Sequence, residues 1–357
     1  MRAAHAGGAG SKQWNVSLTD LAQAIWYRGH PLGLVLAPLS WLYRACVVLR
    51  HAAYRAGLRR VRRCTKPVVV VGNLTVGGAG KTPLVVWLAQ CLRRHGYRPG
   101  IVTRGYGGEA GVWPQEVRSD SDPAVVGDEA VLLARRACCP VVAGPDRYRA
   151  AQMLLERCDV IVSDDGLQHL ALHRDLEIAV IDAVRRFGNG RLLPAGPLRE
   201  PLRRLASVDL VVENGGQGWT DVIRDLAPDR VPRSVVYPMQ CRALSLCSLA
   251  DDHALAATAW QGRVVHAVAG IGHPERFFAT LAALGFEVIP HPYPDHHRFA
   301  PGDITFADGL PLIMTEKDAV KCRRFAAPGH WYLRIAAHLP LEFEQRLIEL
   351  LRSECRG

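Results

Sequence analysis

The chain has 357 residues, of which 49% are hydrophobic and 22% charged, a composition typical of a folded protein and not of a disordered or fibrous one. Its formal net charge is +10, but residues 1–66 hold eleven basic residues and one acid, while residues 67–357 hold 33 of each sign. The globular remainder therefore lacks the basic bias of a nucleic-acid binder, and we expect no nucleic-acid partner. The ten cysteines include no C-x-x-C pair, which argues against a disulfide framework or a zinc site.

The first 65 residues combine an apolar stretch with a series of arginines. Residues 29–43 carry no charged side chain, but the stretch contains Pro38, ends at Arg44 and is shorter than the roughly 20 residues of a spanning helix. The spacing of the basic side chains that follow predicts one helical face, made of Arg44, His51, Arg55, Arg59 and Arg62. This pattern favours a helix on an anionic membrane surface. The alternative is a helix packed on the protein core with a solvated basic face.

A strand, a glycine-rich loop and a helix then follow in the order of a phosphate-binding P-loop. Residues 67–71 form an apolar run typical of a strand buried on both faces of a sheet, and residues 84–92 have helical periodicity. In such a loop the glycines let N–H groups face phosphate oxygens, and the lysine reaches the β- and γ-phosphates. Thr75 departs from the general pattern, which has glycine at that position. The predicted ATP-binding residues are Thr75, Gly77, Gly78, Ala79, Gly80, Lys81 and Thr82.

A P-loop ATPase also needs an acid at the end of a second strand, near the magnesium ion. Residues 159–165 supply an apolar run that ends in Asp164 and Asp165, and residues 176–182 have the same form. A single acid in this place often caps a helix, whereas two adjacent acids are harder to explain as caps. We therefore predict a Mg²⁺ site formed by Thr82, Asp164 and Asp165, without choosing between the two carboxylates.

Eight segments in order give the chain a recognisable signature. They are VVGNLTVGGAGKTP (70–83), TRGYGG (103–108), GDE (127–129), SDDGLQH (163–169), RRFGNGRLLPAGPLRE (185–200), AGIGHPERFF (269–278), PDHH (294–297) and MTEKDAVKC (314–322). The sequence resembles the tetraacyldisaccharide 4'-kinases, the lipid A 4'-kinases of Gram-negative bacteria, from about residue 25 to 350. Thr75 fits this family's own loop pattern. The resemblance implies transfer of the γ-phosphate of MgATP to the 4'-hydroxyl of a tetraacyl glucosamine disaccharide 1-phosphate, in lipid A and lipopolysaccharide biosynthesis.

The resemblance also implies a catalytic pair, with Asp128 as general base and His296 as its partner. A carboxylate with a pKa near ~4 is a weak base, and a neighbouring histidine can take or share the proton. From the residues alone, Asp128 reads as a plain N-cap of the helix at residues 129–136. Adjacent His296 and His297 beside Asp295 raise the option of a metal site, but no third ligand stands at helical spacing.

An anionic acceptor favours arginine forks and a sugar-packing aromatic side chain. The motifs that match the family's contain Arg104, Tyr106, Arg147 and Arg199, which we predict to bind the lipid substrate. A structural ion pair is the alternative for each arginine, and a loop aromatic for Tyr106. Lys317 directly precedes Asp318, so the spacing of a guanine-reading motif fails and ATP is preferred over GTP.

The predicted elements define an α/β fold. Strands near residues 68–71, 100–103, 140–143, 160–163, 178–181 and 210–213 alternate with helices, which predicts a P-loop NTPase-like, mostly parallel sheet with helices on both faces. A smaller C-terminal α/β lobe follows, with strands near 264–269, 287–289, 312–315 and 331–335 and helices at 274–285 and 341–351. The predicted units are a membrane-associated segment (1–65), a P-loop core (66–230) and the small lobe (231–357).

Three functions are weighed. The leading one is a lipid kinase, expected to act as a monomer on the cytoplasmic face of the bacterial inner membrane, which residues 1–65 would contact. A P-loop kinase or ligase for a soluble small molecule gives no reason for the apolar, basic N-terminus. A nucleotide-dependent switch gives no reason for acceptor-side residues such as Asp128, His296, Arg104 and Arg199.

Overall fold

The structure, a computed structural model, describes residues 18–216 and 236–354. The strands are β1 Val68–Gly72, β2 Pro99–Thr103, β3 Gln115–Val117, β4 Val141–Ala143, β5 Val160–Ser163, β6 Leu176–Asp182, β7 Leu210–Asn214, β8 Val236–Ser248, β9 Ala254–Ala256, β10 Val264–Ala269, β11 Glu287–Pro292, β12 Leu312–Thr315 and β13 His330–His338. The α-helices are α1 Leu18–Tyr27, α2 Leu32–Val35, α3 Ala37–Arg55, α4 Lys81–Arg94, α5 Pro123–Val126, α6 Asp128–Arg136, α7 Arg147–Gln152, α8 Pro274–Ala283, α9 Glu316–Cys322 and α10 Leu341–Glu354. Every strand predicted above is present.

The strands form one sheet in the order β11-β10-β12-β13-β8-β7-β6-β1-β5-β2-β4-β3, with β9 paired to β8. The strands around β1 are parallel, and every residue of β1 is buried, as its run of valines predicts. Parallel strands bring their carboxyl ends to one edge of a sheet, so β1, β5 and β6 present the P-loop, Asp164 and Asp182 on the same side.

Strand β8 joins the two halves of the molecule. Its first four residues pair in parallel with β7, and residues 240–248 pair antiparallel with β13. The P-loop half and the C-terminal half therefore share one strand and one continuous sheet. The predicted boundary after residue 230 falls among residues 217–235, outside the described residues, so the division into units stays a prediction.

The C-terminal helix α10, which was predicted as part of the small lobe, packs on the P-loop half. Phe343, Leu347 and Leu351 are fully buried in the same core cluster as the side chains of α4. The Phe343 ring lies 5.5 Å from that of Trp87 on α4. The spacing of i, i+4 and i+8 gives α10 one apolar face, and that face is buried against the P-loop helix.

The N-terminal helices correct the predicted arginine face. Helix α3 ends at Arg55, and Gly57 follows with a φ of 71°, a conformation that terminates helices. Arg62 lies beyond the helix, where its backbone N–H donates to the carbonyl of Ala171 at 2.8 Å. His51 lies on α3 but contacts Glu200 at 3.4 Å, on the protein side. The five basic residues therefore do not share one helical face.

Hydrogen bonds fix α3 to the body of the protein. The Ser40 hydroxyl donates to the carbonyl of Leu192 at 2.8 Å and accepts from the N–H of Ala195 at 2.9 Å. Tyr43 donates to the carbonyl of Arg199 at 3.1 Å. Across residues 18–216 and 236–354, no helix has the length and apolar character needed to cross a membrane.

Candidate active site

The loop between β1 and α4 is shaped around a glycine. Gly80 has a φ of 90°, and a Cβ at this position would lie 2.3 Å from Asn214 Nδ2. Asn214 ends β7 and donates from Nδ2 to the carbonyl of Ala79 at 3.1 Å. Asn214 was not singled out from the sequence, because its contact with the loop depends on the pairing of β6 with β7. The loop thus needs glycine at position 80 for both backbone and space.

The Lys81 ammonium is held inside the loop. Its Nζ donates to Asn73 Oδ1 at 3.0 Å and lies 3.5 Å from Asp165 Oδ1. Asn73 is fully buried and donates to the carbonyl of Gly77 at 3.3 Å and towards the Thr75 hydroxyl at 3.5 Å. A phosphate oxygen is a stronger partner for an ammonium than a neutral amide. The Lys81 ammonium can thus give up its hydrogen bond to Asn73 and bind a nucleotide phosphate instead.

Asp164 has a buried carboxyl group, and only one of its two oxygens accepts a hydrogen bond from the described residues. It is 2% exposed, and its Oδ2 accepts a hydrogen bond from the Thr103 hydroxyl at 3.1 Å. Its Oδ1 has no hydrogen-bond partner among the described residues. Burial, together with the negative charge of Glu129, raises the pKa of Asp164 to about 7. Such an oxygen is suited to a divalent cation, so the residues present fit Mg²⁺. Thr82, the second residue of α4, supplies the predicted hydroxyl.

Asp165, the next residue, has the opposite electrostatic environment. Arg199 donates to its two carboxylate oxygens at 2.9 and 3.0 Å, and Lys81 approaches it from the loop. Burial opposes ionisation of Asp165, but the Lys81 charge and the Arg199 hydrogen bonds outweigh it and hold its pKa far below the usual value. Arg199 also donates to the carbonyl of Asn73 at 2.9 Å. Asp165 therefore stays ionised and ties the loop lysine to Arg199.

Asp128 and His296 meet across the cleft between the two halves of the protein. His296 Nδ1 lies 3.3 Å from Asp128 Oδ2. Gly127 occupies the N-cap position of α6, so the alternative of Asp128 as an N-cap is wrong. Burial opposes ionisation of Asp128, yet the His296 hydrogen bond and the Lys317 charge lower its pKa below the usual value. The hydrogen bond with Asp128 raises the pKa of His296.

The remaining predicted substrate residues have different positions. Tyr106 is 55% exposed and its ring lies 4.9 Å from that of His296, so it lies at the cleft. Arg104, two residues earlier, is exposed. His297 does not join the pair: it contacts Asp303 at 3.1 Å and supports its own loop.

Arg147 does not reach the cleft surface, which corrects its predicted role as a substrate ligand. It is 2% exposed and donates to the carbonyl of Gly144 at 2.8 Å and to that of Asp164 at 3.2 Å. Burial lowers its pKa to about 10. Its guanidinium thus hydrogen-bonds backbone carbonyls just after β4 and β5, a structural role that differs from the alternative of an ion pair.

Two charged residues at the cleft were missed from the sequence. Lys317 Nζ lies 3.2 Å from Glu129 Oε1 and 3.3 Å from His296 Nε2. Lys317 was considered only for a guanine-reading motif, and Glu129 only as the start of a helix. The available signal was that each belongs to a motif of the family signature, GDE and MTEKDAVKC.

Comparison with known proteins decides the family. A model of the tetraacyldisaccharide-1-P 4'-kinase family matches residues 32–352. The chain is 50% identical over 340 residues to the tetraacyldisaccharide 4'-kinase of Nitrosococcus oceani, covering 95% of this chain and 96% of that protein. It is 51% identical over 327 residues to that of Alkalilimnicola ehrlichii, covering 91% and 95%. The chain belongs to this family.

A solved structure agrees with the assignment. The crystal structure of LpxK from Aquifex aeolicus in complex with ATP superposes with a TM-score of 0.73 and 29% identity, covering 90% of this chain and 99% of that one. The predicted P-loop kinase fold and 4'-kinase function in lipid A biosynthesis are confirmed at this level. The soluble-substrate kinase and the nucleotide switch are set aside. The roles of individual residues stay predictions.

Replacing Gly80 tests the loop geometry. We expect Gly80→Ala to lower the free energy of unfolding by about 2 kcal/mol, because alanine disfavours this φ and its Cβ would displace Asn214. Gly78→Ala is the matched control, since a Cβ there meets no heavy atom within 4 Å. Urea denaturation without nucleotide measures both variants. Equal stabilities for the two variants would contradict the described loop.

The two adjacent acids should respond to substitution with opposite signs. A carboxyl whose pKa is raised to about 7 keeps a proton that the unfolded chain releases above pH ~4, so the metal-free protein loses stability as pH rises from about 4 to about 7. Asp164→Asn should therefore stabilise the metal-free protein at pH 8, on the order of 2 kcal/mol, and abolish kinase activity. Asp165→Asn should destabilise it, because Lys81 and Arg199 lose their partner.

Urea denaturation in EDTA at pH 5 and pH 8 separates these effects. The gain from Asp164→Asn should be present at pH 8 and much smaller at pH 5, where the native carboxyl is already protonated. Destabilisation by Asp164→Asn at pH 8 would show that the pKa of the Asp164 carboxyl is not raised in the folded protein.

Proposed function

We propose that phosphoryl transfer takes place in the cleft, with Asp128 accepting the proton of the 4'-hydroxyl and His296 supporting it. The observation that carries this is the 3.3 Å contact between Asp128 and His296, which come from opposite sides of the cleft. Asp128 is held ionised despite its burial, as a proton acceptor must be. A hydroxyl within hydrogen-bond distance of this carboxylate could attack in line only if the γ-phosphate lies on its other side.

The P-loop supports the nucleotide assignment. The N-terminus of α4 and the backbone around Gly77 and Gly78 would bind the ATP phosphates, with Lys81 turning from Asn73 to the β- and γ-phosphates. The free Oδ1 of Asp164 and the Thr82 hydroxyl would hold Mg²⁺. The ion, when bound, neutralises charge on the phosphates. We assign Asp165 the different task of fixing Lys81 and Arg199.

The acceptor lipid would enter beside Tyr106. Its ring stands next to His296 and is exposed enough to pack on a sugar face. Arg104, on the same loop and exposed, is suited to a phosphate of the lipid or to the transferred group. Arg199 is engaged with Asp165, so we assign it to orienting the loop that carries Asp164 and Asp165, with contact to the transferred phosphate from that position.

An apolar face on α2 and α3 supports docking to a membrane. Its side chains are more than half exposed: Leu34 66% and Val35 70% on α2, and Leu39 53%, Trp41 69%, Leu42 64% and Leu49 67% on α3. We call this set the apolar face. Exposed Arg44 and Arg55 on α3 would contact anionic headgroups. Tyr43 donates to the backbone carbonyl of Arg199, whose guanidinium contacts Asp165, so a single residue connects α3 to Asp165.

This arrangement fits a monomer at the cytoplasmic face of the bacterial inner membrane. ATP is supplied on that side, and the acceptor lipid could reach the cleft without leaving the bilayer surface. The nine cysteines of the described residues are all unpaired, as in a reducing compartment.

Substituting the catalytic pair tests the proposed roles. Asp128→Asn and His296→Asn should each lower kcat by about 10²–10⁴-fold, with the dissociation constant for ATP within about two-fold of wild type. Asparagine suits position 296 because it tolerates the φ of 61° found there. His297→Asn is the control and should retain near-normal activity, since His297 contacts Asp303 instead. Full activity in Asp128→Asn would reject this residue as the base.

Substituting the apolar face tests the docking surface. Trp41→Ser with Leu42→Ser should weaken binding to vesicles of phosphatidylethanolamine and phosphatidylglycerol by about 10-fold or more, because two large apolar side chains leave the interface. Leu341→Ser is the control: Leu341 is 63% exposed but lies on α10. Vesicle sedimentation measures both. Equal binding by the double variant and wild type would reject the apolar face as the contact surface.

A further inference from the structure

The lysine that follows β12 faces the proposed catalytic pair from the small lobe. Lys317 is the second residue of α9, and its side chain is 16% exposed. Its Nζ lies 3.2 Å from Glu129 Oε1, 3.4 Å from Asp295 Oδ1 and 4.0 Å from Asp128 Oδ2. It also lies 3.3 Å from His296 Nε2. One ammonium thus contacts three carboxylates and the imidazole, more than a structural ion pair requires.

We propose that Lys317 is a positioning residue that fixes the tautomer of His296 and keeps Asp128 in its proton-accepting form. This rests on the proposed function, in which Asp128 accepts the proton of the 4'-hydroxyl. An ammonium has three donors and no acceptor, so the imidazole nitrogen that faces it must accept. Asp295 Oδ1 lies 3.8 Å from the same Nε2, farther than the ammonium.

The tautomer decides which group can act as the base. With Nε2 accepting from Lys317, the single proton of a neutral imidazole is on Nδ1, which faces Asp128 Oδ2 at 3.3 Å. Both ring nitrogens are then engaged, and His296 has no free lone pair for the substrate. Asp128 remains as the acceptor, oriented by His296 on one side. Its Oδ1 accepts from the N–H of Glu129 at 2.8 Å on the other.

The positive charge of Lys317 also favours the ionised, proton-accepting form of Asp128. Carboxylates crowded at the cleft repel one another and favour protonation unless a cation lies among them. The Lys317 charge favours the ionised form of Asp128 and the neutral form of His296, although the hydrogen bond with Asp128 leaves the pKa of His296 raised. The groups that face this cluster are Asp128 and Glu129 on α6, Asp295 and His296 on the turn after β11, Tyr106 on the loop after β2, Asp164 after β5 and Lys321 on α9.

A neighbouring ion pair offers a control that distinguishes the proposed role of Lys317 from a purely structural contact between α9 and α6. Glu316, just before Lys317, contacts Arg136 at the other end of α6, at 2.5 Å, and Arg136 also donates to the carbonyl of Ile335 at 3.0 Å. This pair joins the same two helices but is seven residues away from Glu129 along α6. Arg136→Met is therefore the matched control, since it weakens the contact of α9 with α6 without removing charge from the cluster.

The test compares Lys317→Met, Lys317→Arg and Arg136→Met in full-length protein, with tetraacyl disaccharide 1-phosphate in mixed micelles. Lys317→Met should lower kcat/KM at pH 7 by about 100-fold, because the orientation of the pair is lost, and should move the acid limb of its pH profile up by about one unit. The dissociation constant for ATP should stay unchanged. Lys317→Arg keeps the positive charge and should leave the acid limb of the pH profile where it is in wild type. Arg136→Met should lower the stability of the protein without moving the acid limb.

A spectroscopic measurement reads the tautomer without turnover. In protein with ¹⁵N-labelled histidine, the His296 signals, assigned by their loss in His296→Asn, should report Nδ1–H in wild type and a shift towards Nε2–H in Lys317→Met. An unmoved acid limb, or an unchanged tautomer in Lys317→Met, overturns the role of Lys317. Failure of the proposed function is a different result, in which wild type transfers no phosphate to the lipid while the tautomer still responds to Lys317.

Discussion

Several carboxylates lie close together in the active cleft, and the structure depends on giving each of them a different electrostatic environment. Asp164 and Asp165 follow β5, while Asp128 and Glu129 begin α6, and Asp295 reaches them from the small lobe. Each acid has its own arrangement of cations. Lys81 and Arg199 hold Asp165, and Lys317 contacts Asp128, Glu129 and Asp295, while one oxygen of Asp164 has no hydrogen-bond partner among the described residues. In the proposed mechanism, the same residue type would therefore serve as a cation ligand, a structural anchor and a proton acceptor at neighbouring positions.

This arrangement requires the two halves of the protein to be firmly related. Strand β8 runs through both halves of the sheet, and α10 returns to bury its apolar face against α4. Helix α9 then packs against α6 across the cleft, with Glu316 on Arg136 and Lys317 on Glu129. Contacts among His296, Lys317 and Asp128 at 3–4 Å are possible because these elements fix the cleft walls.

Local sequence patterns were sufficient for much of the fold. The valine run of β1, the glycine-rich loop and the acid pair after β5 are contiguous in sequence, so their structure could be predicted from spacing alone. The family signature added Asp128 and His296, which are 168 positions apart. Contacts that depend on tertiary packing could not be predicted: Asn214 reaches the loop from β7, Lys317 reaches α6 from α9, and Arg147 turns inward. The prediction of an arginine face was wrong because Gly57 ends α3 before Arg59.

The proposed function requires the 4'-hydroxyl and the nucleotide phosphate to meet between Asp128 and the P-loop. A crystal structure of the protein with Mg²⁺, a non-hydrolysable ATP analogue and the tetraacyl disaccharide 1-phosphate is the decisive measurement. We expect the 4'-oxygen within about 3 Å of Asp128 Oδ2, in line with the γ-phosphorus, and the ion on Asp164 Oδ1. A 4'-oxygen bound elsewhere in the cleft, with His296 or Lys317 nearest to it, would reject Asp128 as the proton acceptor.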